Sequence, residues 1–274
     1  MDMTNLASLY ADTHDLSVDY ARALKRVARS MQDAGITPLT LDSSRCNAWL
    51  SSMDKGRTTK SNYRRMARTL WSFAARKKFS PSVSDDFLRV KVPAKPPIAW
   101  TADELRRLLD TCEKLTGTFS SGCQRNLFWT AWVLVGFETG LRYGDLHHLK
   151  ASQLRGTRLY VTHHKTGQAQ GKILSSKAAD LIRQLAHRGK DGTVFRWALS
   201  RKHLFLQFKN IVKSAGLEGS TKFLRRSGAT YCELKQRGSA KQFLGHLSDG
   251  LAYKCYVDPT LLEDDIPTPI PFIE

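Results

Sequence analysis

Apolar side chains in the first third of the chain recur at helical intervals. Tyr20, Leu24, Val27 and Met31 line one face of a predicted helix, with Ser17 placed to cap its start and Gly35 to stop it. Cys46, Trp49, Leu50 and Met53 predict a second, shorter helix. A third opens near Thr58. Its apolar stripe is Tyr63, Met66, Leu70 and Phe73, and Lys60, Arg64, Arg65 and Arg68 interleave on its other side. Periodicity then lapses over residues 90–97, VKVPAKPP, whose three prolines mark a linker. The pattern resumes at Thr101-Ala102-Asp103-Glu104, a capping box ahead of Leu105, Leu108, Leu109 and Cys112. Residues Leu127 to Phe137 are apolar on all sides and predict a buried helix. From about Arg158 to Leu174, RLYVTHHKTGQAQGKILSS reads as strand, glycine-containing turn, strand. The remainder is helical again, with stops at Gly189, Gly216 and Gly238. The expected fold is mainly α in two domains. A helical bundle spans residues 1–89, and a mostly helical domain with a small antiparallel β-sheet spans 98–274, its C-terminal tail beginning near residue 258.

Composition narrows what such a fold does. Of 274 residues, 43 are Lys or Arg and 25 are Asp or Glu, a net charge of +18. The excess is shared: residues 1–97 carry a net +8 and residues 98–274 a net +10. Both halves therefore suit the same polyanion, most simply nucleic acid. A hydrophobic fraction of 41% is enough for packed cores and excludes a disordered chain. The most apolar run is only eleven residues, Leu127 to Phe137, and falls well short of a membrane span. The acidic start, MDMTNLASLYADTHD, lacks the layout of a signal peptide. Five scattered cysteines, Cys46, Cys112, Cys123, Cys232 and Cys255, never form a C-x-x-C pair and read as reduced thiols of a cytosolic, DNA-associated protein. The pair His163/His164 cannot share a metal from a regular strand, because neighbours point to opposite faces. No metal site is expected.

Four segments of the second half stand out in order: TGLRYGDL around Arg142, HHKTG around Lys165, KFLRRSGAT around Arg225, and LGHLSDGLAYKCYVDP from Leu244 to Pro259. Gly140 suits a helix end with positive φ that projects Arg142 from the turn, and Asp145 is placed to orient it through an ion pair. Lys165 sits at a hairpin turn, and Tyr253 and Tyr256 fall near one face of one helix. With these motifs the chain resembles the tyrosine recombinases, the phage integrases and Xer-like enzymes. The resemblance implies a core-binding, SAM-like first domain and a catalytic second domain. It implies a site-specific recombinase or integrase that cleaves and rejoins DNA through a covalent 3′-phosphotyrosyl bond. Neither metal nor ATP nor any other cofactor is implied, and no phosphate-binding G-x-x-x-x-G-K-[ST] loop is present. The implied catalytic set is Arg142, Lys165, Lys222, Arg225, His246 and Tyr256, with Lys60, Arg64, Arg65 and Arg68 as DNA contacts. The arginines would fork onto phosphate oxygens, Lys165 would protonate the leaving 5′ oxygen and His246 would donate to the phosphate.

Two positions depart from the family pattern. Lys222 stands where the family usually has His, so it is expected to be a phosphate ligand or a proton donor, and the base that takes the tyrosine proton is left open. Tyr256, ten residues after His246, needs a one-residue insertion, but Y-V-D-P matches what often follows the family's nucleophile. Tyr253 is the alternative. The resemblance also implies a homotetramer on two paired duplexes, with both domains gripping each DNA. Leu261, Leu262, Ile270 and Phe272 of the proline-broken tail are expected to dock on a neighbouring subunit. A chain that starts almost at once with core-binding helices suggests a simple recombination site. A catalytically inactive DNA-binding relative, a type IB topoisomerase and a telomere resolvase are the competing readings.

Overall fold

Helix caps and apolar stripes explain most of the architecture. The computed structural model describes residues 1–81, 83, 86–163, 167–186, 192–245 and 249–262. The chain forms two compact units, Met1–Ala94 and Lys95–Glu274.

In the first unit, α1 (Met3–Asp12), α2 (Val18–Asp33), α3 (Ser43–Ser52) and α4 (Arg57–Arg76) surround one core. Of the predicted stripes, Leu24, Val27, Met31, Cys46, Trp49, Leu50, Leu70 and Phe73 are buried in it, whereas Tyr20, Met53, Tyr63 and Met66 are only half-buried. Asp2, Ser17 and Asp42 each accept a hydrogen bond from a backbone N–H in the first turn they cap, a contribution of about 1 kcal/mol apiece. Gly35 (φ +73°) takes the chain out of α2. Helix α1 is not among the predicted elements. It buries Met3, Leu6 and Ala7, which with half-buried Tyr10 make a short stripe at helical spacing, and packs on α2 and α4. Phe87 closes the core from beyond α4.

The second unit opens with Ala99 and Trp100, both buried. Helix α5 (Ala102–Glu113) starts with the capping box: Glu104 N–H donates to Thr101 at 3.2 Å and Thr101 N–H to Glu104 at 2.8 Å. Helix α6 (Arg125–Thr139) is buried on nearly every face and forms the axis of this core. Trp132 and Phe195 meet edge-on at 5.0 Å, an arrangement adding about 0.5–1.5 kcal/mol beyond burial. A short α7 (Tyr143–His147) follows, then an antiparallel sheet ordered β1 (Leu154–Arg155), β2 (Arg158–Thr162) and β3 (Ala169–Ile173). The β2–β3 register pairs Arg158 with Ile173 and Thr162 with Ala169, so the turn between them carries Lys165, which lies outside the described residues. Helices α8 (Ser176–Ala186), α9 (Arg201–Ser214), α10 (Thr221–Lys235), α11 (Ser239–Leu244) and α12 (Asp249–Cys255) complete the unit. Gly216 and Gly238 take positive φ where helices were expected to stop, whereas Gly189 lies outside the described residues. All five cysteines are free thiols. No helix among the described residues is long and apolar enough to cross a membrane.

Candidate active site

A sharp turn after α6 sets the first cation. Gly140 adopts φ +59°, and a Cβ there would collide with the Phe243 ring, so both conformation and space demand glycine. Two residues on, Arg142 caps α7. Its Nη1 is buried yet has no hydrogen-bond partner among the described residues. An unsatisfied buried guanidinium N–H is costly, and an incoming anion would satisfy it.

Helix α10 supplies the second and third cations. Lys222 and Arg225 lie three apart on one face. Gly228 lets this helix approach α6, since a Cβ would collide with the carbonyl of Phe137. Arg225 is only 4% exposed, donating from Nη1 to Gly140 O and from Nη2 to Leu244 O at 3.0 Å. Burial and the charge of Arg142 pull this guanidinium below its ordinary range, while Tyr256 and Asp145 oppose the fall.

Tyr256 follows α12 directly, its N–H bonded to Ala252 O at 2.9 Å. The Arg225 guanidinium lies 4.9 Å and the Lys222 ammonium 5.6 Å from the centre of its ring. Arg142, Lys222, Arg225 and Tyr256 together line a cavity of about 550 Å³, which Tyr143 and Phe205 also line. Tyr253 is elsewhere. Its hydroxyl donates to Glu233, it is 41% exposed, and it does not line the cavity. Glu233 also accepts from Gly238 N–H (2.6 Å) and Ala240 N–H (2.9 Å), so Tyr253 belongs to the corner between α10 and α11. Burial pushes the Glu233 carboxyl up, but these hydrogen bonds outweigh it and hold the group below its usual range. His246 lies outside the described residues.

The buried Asp145 carboxylate bonds His163 Nδ1 through Oδ2 at 2.9 Å, a contact that spacing did not reveal. His163 is itself 1% exposed and reaches Gln170 at 3.0 Å through Nε2, while His164 lies outside the described residues. Asp258, known from the sequence only as part of Y-V-D-P, accepts from Ala99 N–H at 2.7 Å, and its own N–H donates to Thr230 at 2.9 Å. It thus pins the chain just beyond Tyr256. Leu262 belongs to the buried cluster of Leu244, Ala252 and Val257 in its own unit, and Leu261 is half-buried. Ile270 and Phe272 lie outside the described residues. Among the described residues no group of three or more His, Cys, Asp or Glu is placed to hold a metal ion.

The basic face of α4, in the first unit, is not uniform. Arg65 and Arg68 are exposed. Lys60 donates to Ser51 O at 3.1 Å. Arg64 instead serves the fold: Nη2 donates to Phe87 O at 2.6 Å and Nε to Leu88 O, with the guanidinium 5.2 Å from the Phe87 ring centre. No local signal separates Arg64 from its neighbours, because its partners lie 23 and 24 residues away.

Residues 99–260 match the model of the phage integrase family. No curated protein sequence matches the chain. Among solved structures, the chain is similar to lambda integrase (75-356), crystallised as a dimer bound to a COC′ core site. The TM-score is 0.74 at 18% identity, covering 100% of this chain and 99% of that one. It is also similar to the XerH site-specific recombinase bound to palindromic difH substrate (TM-score 0.69, 18% identity, 89% of this chain and 77% of that one). A third is the Tn1549 transposon integrase in complex with circular intermediate DNA (TM-score 0.71, 13% identity, 92% and 94%). At these identities the likeness establishes the fold.

Proposed function

The chain belongs to the phage integrase family, and from that premise we propose that it is a site-specific DNA recombinase using Tyr256 as its nucleophile. The observation that carries this reading is the cluster of Arg142, Lys222 and Arg225 around Tyr256 in one cavity, with a buried, unbonded guanidinium N–H of Arg142 among them. A duplex phosphate placed there receives forked hydrogen bonds and opposite charge as its phosphorus becomes five-coordinate. A bond forms between Tyr256 Oη and phosphorus, the bond from phosphorus to the 5′ oxygen breaks, and the phenolic proton is balanced by one delivered to that oxygen. Lys165 is the donor in this scheme, Lys222 a phosphate ligand, and His246 a hydrogen-bond donor to the phosphate. The phosphotyrosyl ester conserves the energy of the broken link, so rejoining needs no nucleotide.

Double-stranded DNA is the substrate, and the basic residues of both units supply its binding energy. The lambda integrase dimer and the tetramer bound to a Holliday junction support assembly of this chain as a homotetramer on paired sites. The test is a nicked duplex carrying the sequence that flanks the gene, on which strand cleavage releases a short fragment and traps the covalent adduct. Wild type and Tyr253→Phe should form the adduct and Tyr256→Phe should not. An adduct surviving Tyr256→Phe overturns the assignment, and a shift in mobility with no adduct from wild type makes the chain a binder only.

A further inference from the structure

The two inward side chains of β3 do something unusual for a strand at the edge of a helical domain. Burial along β3 alternates, with Gln170 and Lys172 turned inward while Ala169, Gly171 and Ile173 face out. Lys172 is 6% exposed, which is rare for a lysine unless its ammonium has partners. The ammonium donates to Phe243 O and lies 4.7 Å from the centre of the Phe243 ring. Gln170 donates through its amide to Gln242 O, and Arg225 donates to Leu244 O. Three consecutive carbonyls at the end of α11 are therefore held by three side chains. The C-terminal end of a helix carries partial negative charge and unsatisfied C=O groups, so donors, and cations above all, are stabilising there.

The same strand also contacts the turn that follows. Gly245 has φ +64°, and a Cβ on it would come within 2.9 Å of Gln170 Oε1 and 3.1 Å of His163 Nε2. Gln170 thus joins the chain Asp145–His163–Gln170 to the last turn of α11, immediately before His246. Arg142 lies three residues before Asp145 on the same short helix start, and Arg225 shares the end of α11 with Lys172.

We propose that Lys172 and Gln170 are positioning residues for strand cleavage, clamping the carbonyl end of α11 to β3. The clamp holds Arg225, the end of α11 and strand β3 as one unit. The inference rests on the function proposed above. Neither side chain lines the catalytic cavity, so neither touches the phosphate. Burial and the nearby charge of Arg225 pull the ammonium below its ordinary range, which offsets what its contact with the α11 carbonyl end contributes.

The experiment uses the full chain on the nicked duplex described above. Wild type must form the covalent adduct first; if it forms none, the function itself fails and not this inference alone. Lys172→Met keeps the length of the side chain and removes its charge and donors. At saturating duplex its rate of adduct formation should fall about ten- to hundredfold, as expected when reacting groups lose alignment. Duplex affinity should stay unchanged and the melting temperature should be equal or higher, which a merely structural residue would not show. Gln170→Leu should act in the same direction and serves as the independent test if Lys172→Met does not fold. Adduct formation at the wild-type rate in both variants, or a loss no larger than the loss of folded protein, overturns the proposal.

Discussion

The two units place their charge in opposite ways. Among the described residues of the first unit no charged side chain is buried, and the cations of α4 lie on or near the surface. In the second unit Asp145, Lys172, Arg225, Glu233 and Asp258 are all buried. Exposed cations act through a field that salt screens within about 10 Å at 0.1 M. Buried ones act over a single contact, where water cannot compete and each must be matched by a specific partner. Under the function proposed above, such a chain would divide its charge between holding a polyanion and acting on one of its phosphates.

Four changes test that division. Arg142→Ala should have the largest effect, lowering cleavage at saturating duplex by about a hundred- to a thousandfold, the range found when one donor to a developing oxyanion is removed. Affinity for the duplex should change little, and a loss confined to affinity would place Arg142 with the surface cations. The triple change Lys60, Arg65 and Arg68 to Ala should do the reverse. For every phosphate that these cations neutralise, the slope of log affinity against log salt should shrink by about 0.9, with cleavage at saturation unchanged. An unchanged slope would remove α4 from the DNA interface.

Arg64→Ala probes the exception within the first unit. It should cost about 1–3 kcal/mol in thermal or denaturant unfolding, because the carbonyls of Phe87 and Leu88 lose a charged donor. The salt slope should hold. The smallest effect is expected from pH. Burial lowers Lys172 from 10.5 to about 7, so between these values the folded chain binds fewer protons than the unfolded chain. The contribution of Lys172 to stability therefore rises as pH increases from 7 towards 10.5, by at most about 1.4 kcal/mol per pH unit. Unfolding measured at about pH 7 and about pH 9 should show this rise in wild type, and Lys172→Met should lose it.

Local pattern carried far in this chain. The stripes of α2 and α4, the capping box at Thr101, the left-handed turn at Gly140 and the β2–β3 hairpin are each specified by neighbours within one or two turns, so spacing revealed them. The ordered motifs likewise brought Arg142, Lys222, Arg225 and Tyr256 to notice, although only the fold shows them sharing a cavity. What stayed hidden depends on distant partners. The contact of Asp145 with His163 spans 18 residues, and that of Lys172 with Phe243 spans 71. A lysine in a short strand between exposed neighbours looks solvated until α11 is seen to cover it. Helix α1 was legible but short, its stripe being Met3, Leu6, Ala7 and Tyr10 within ten residues.

Asp258 makes the entrance and the reacting end of the second unit parts of one joint. Its carboxylate grips Ala99, where the chain arrives from the proline-rich segment, and its own N–H is fixed to Thr230 on α10 two residues after Tyr256. The backbone at residue 99 and the backbone beside the tyrosine are therefore joined through one buried contact.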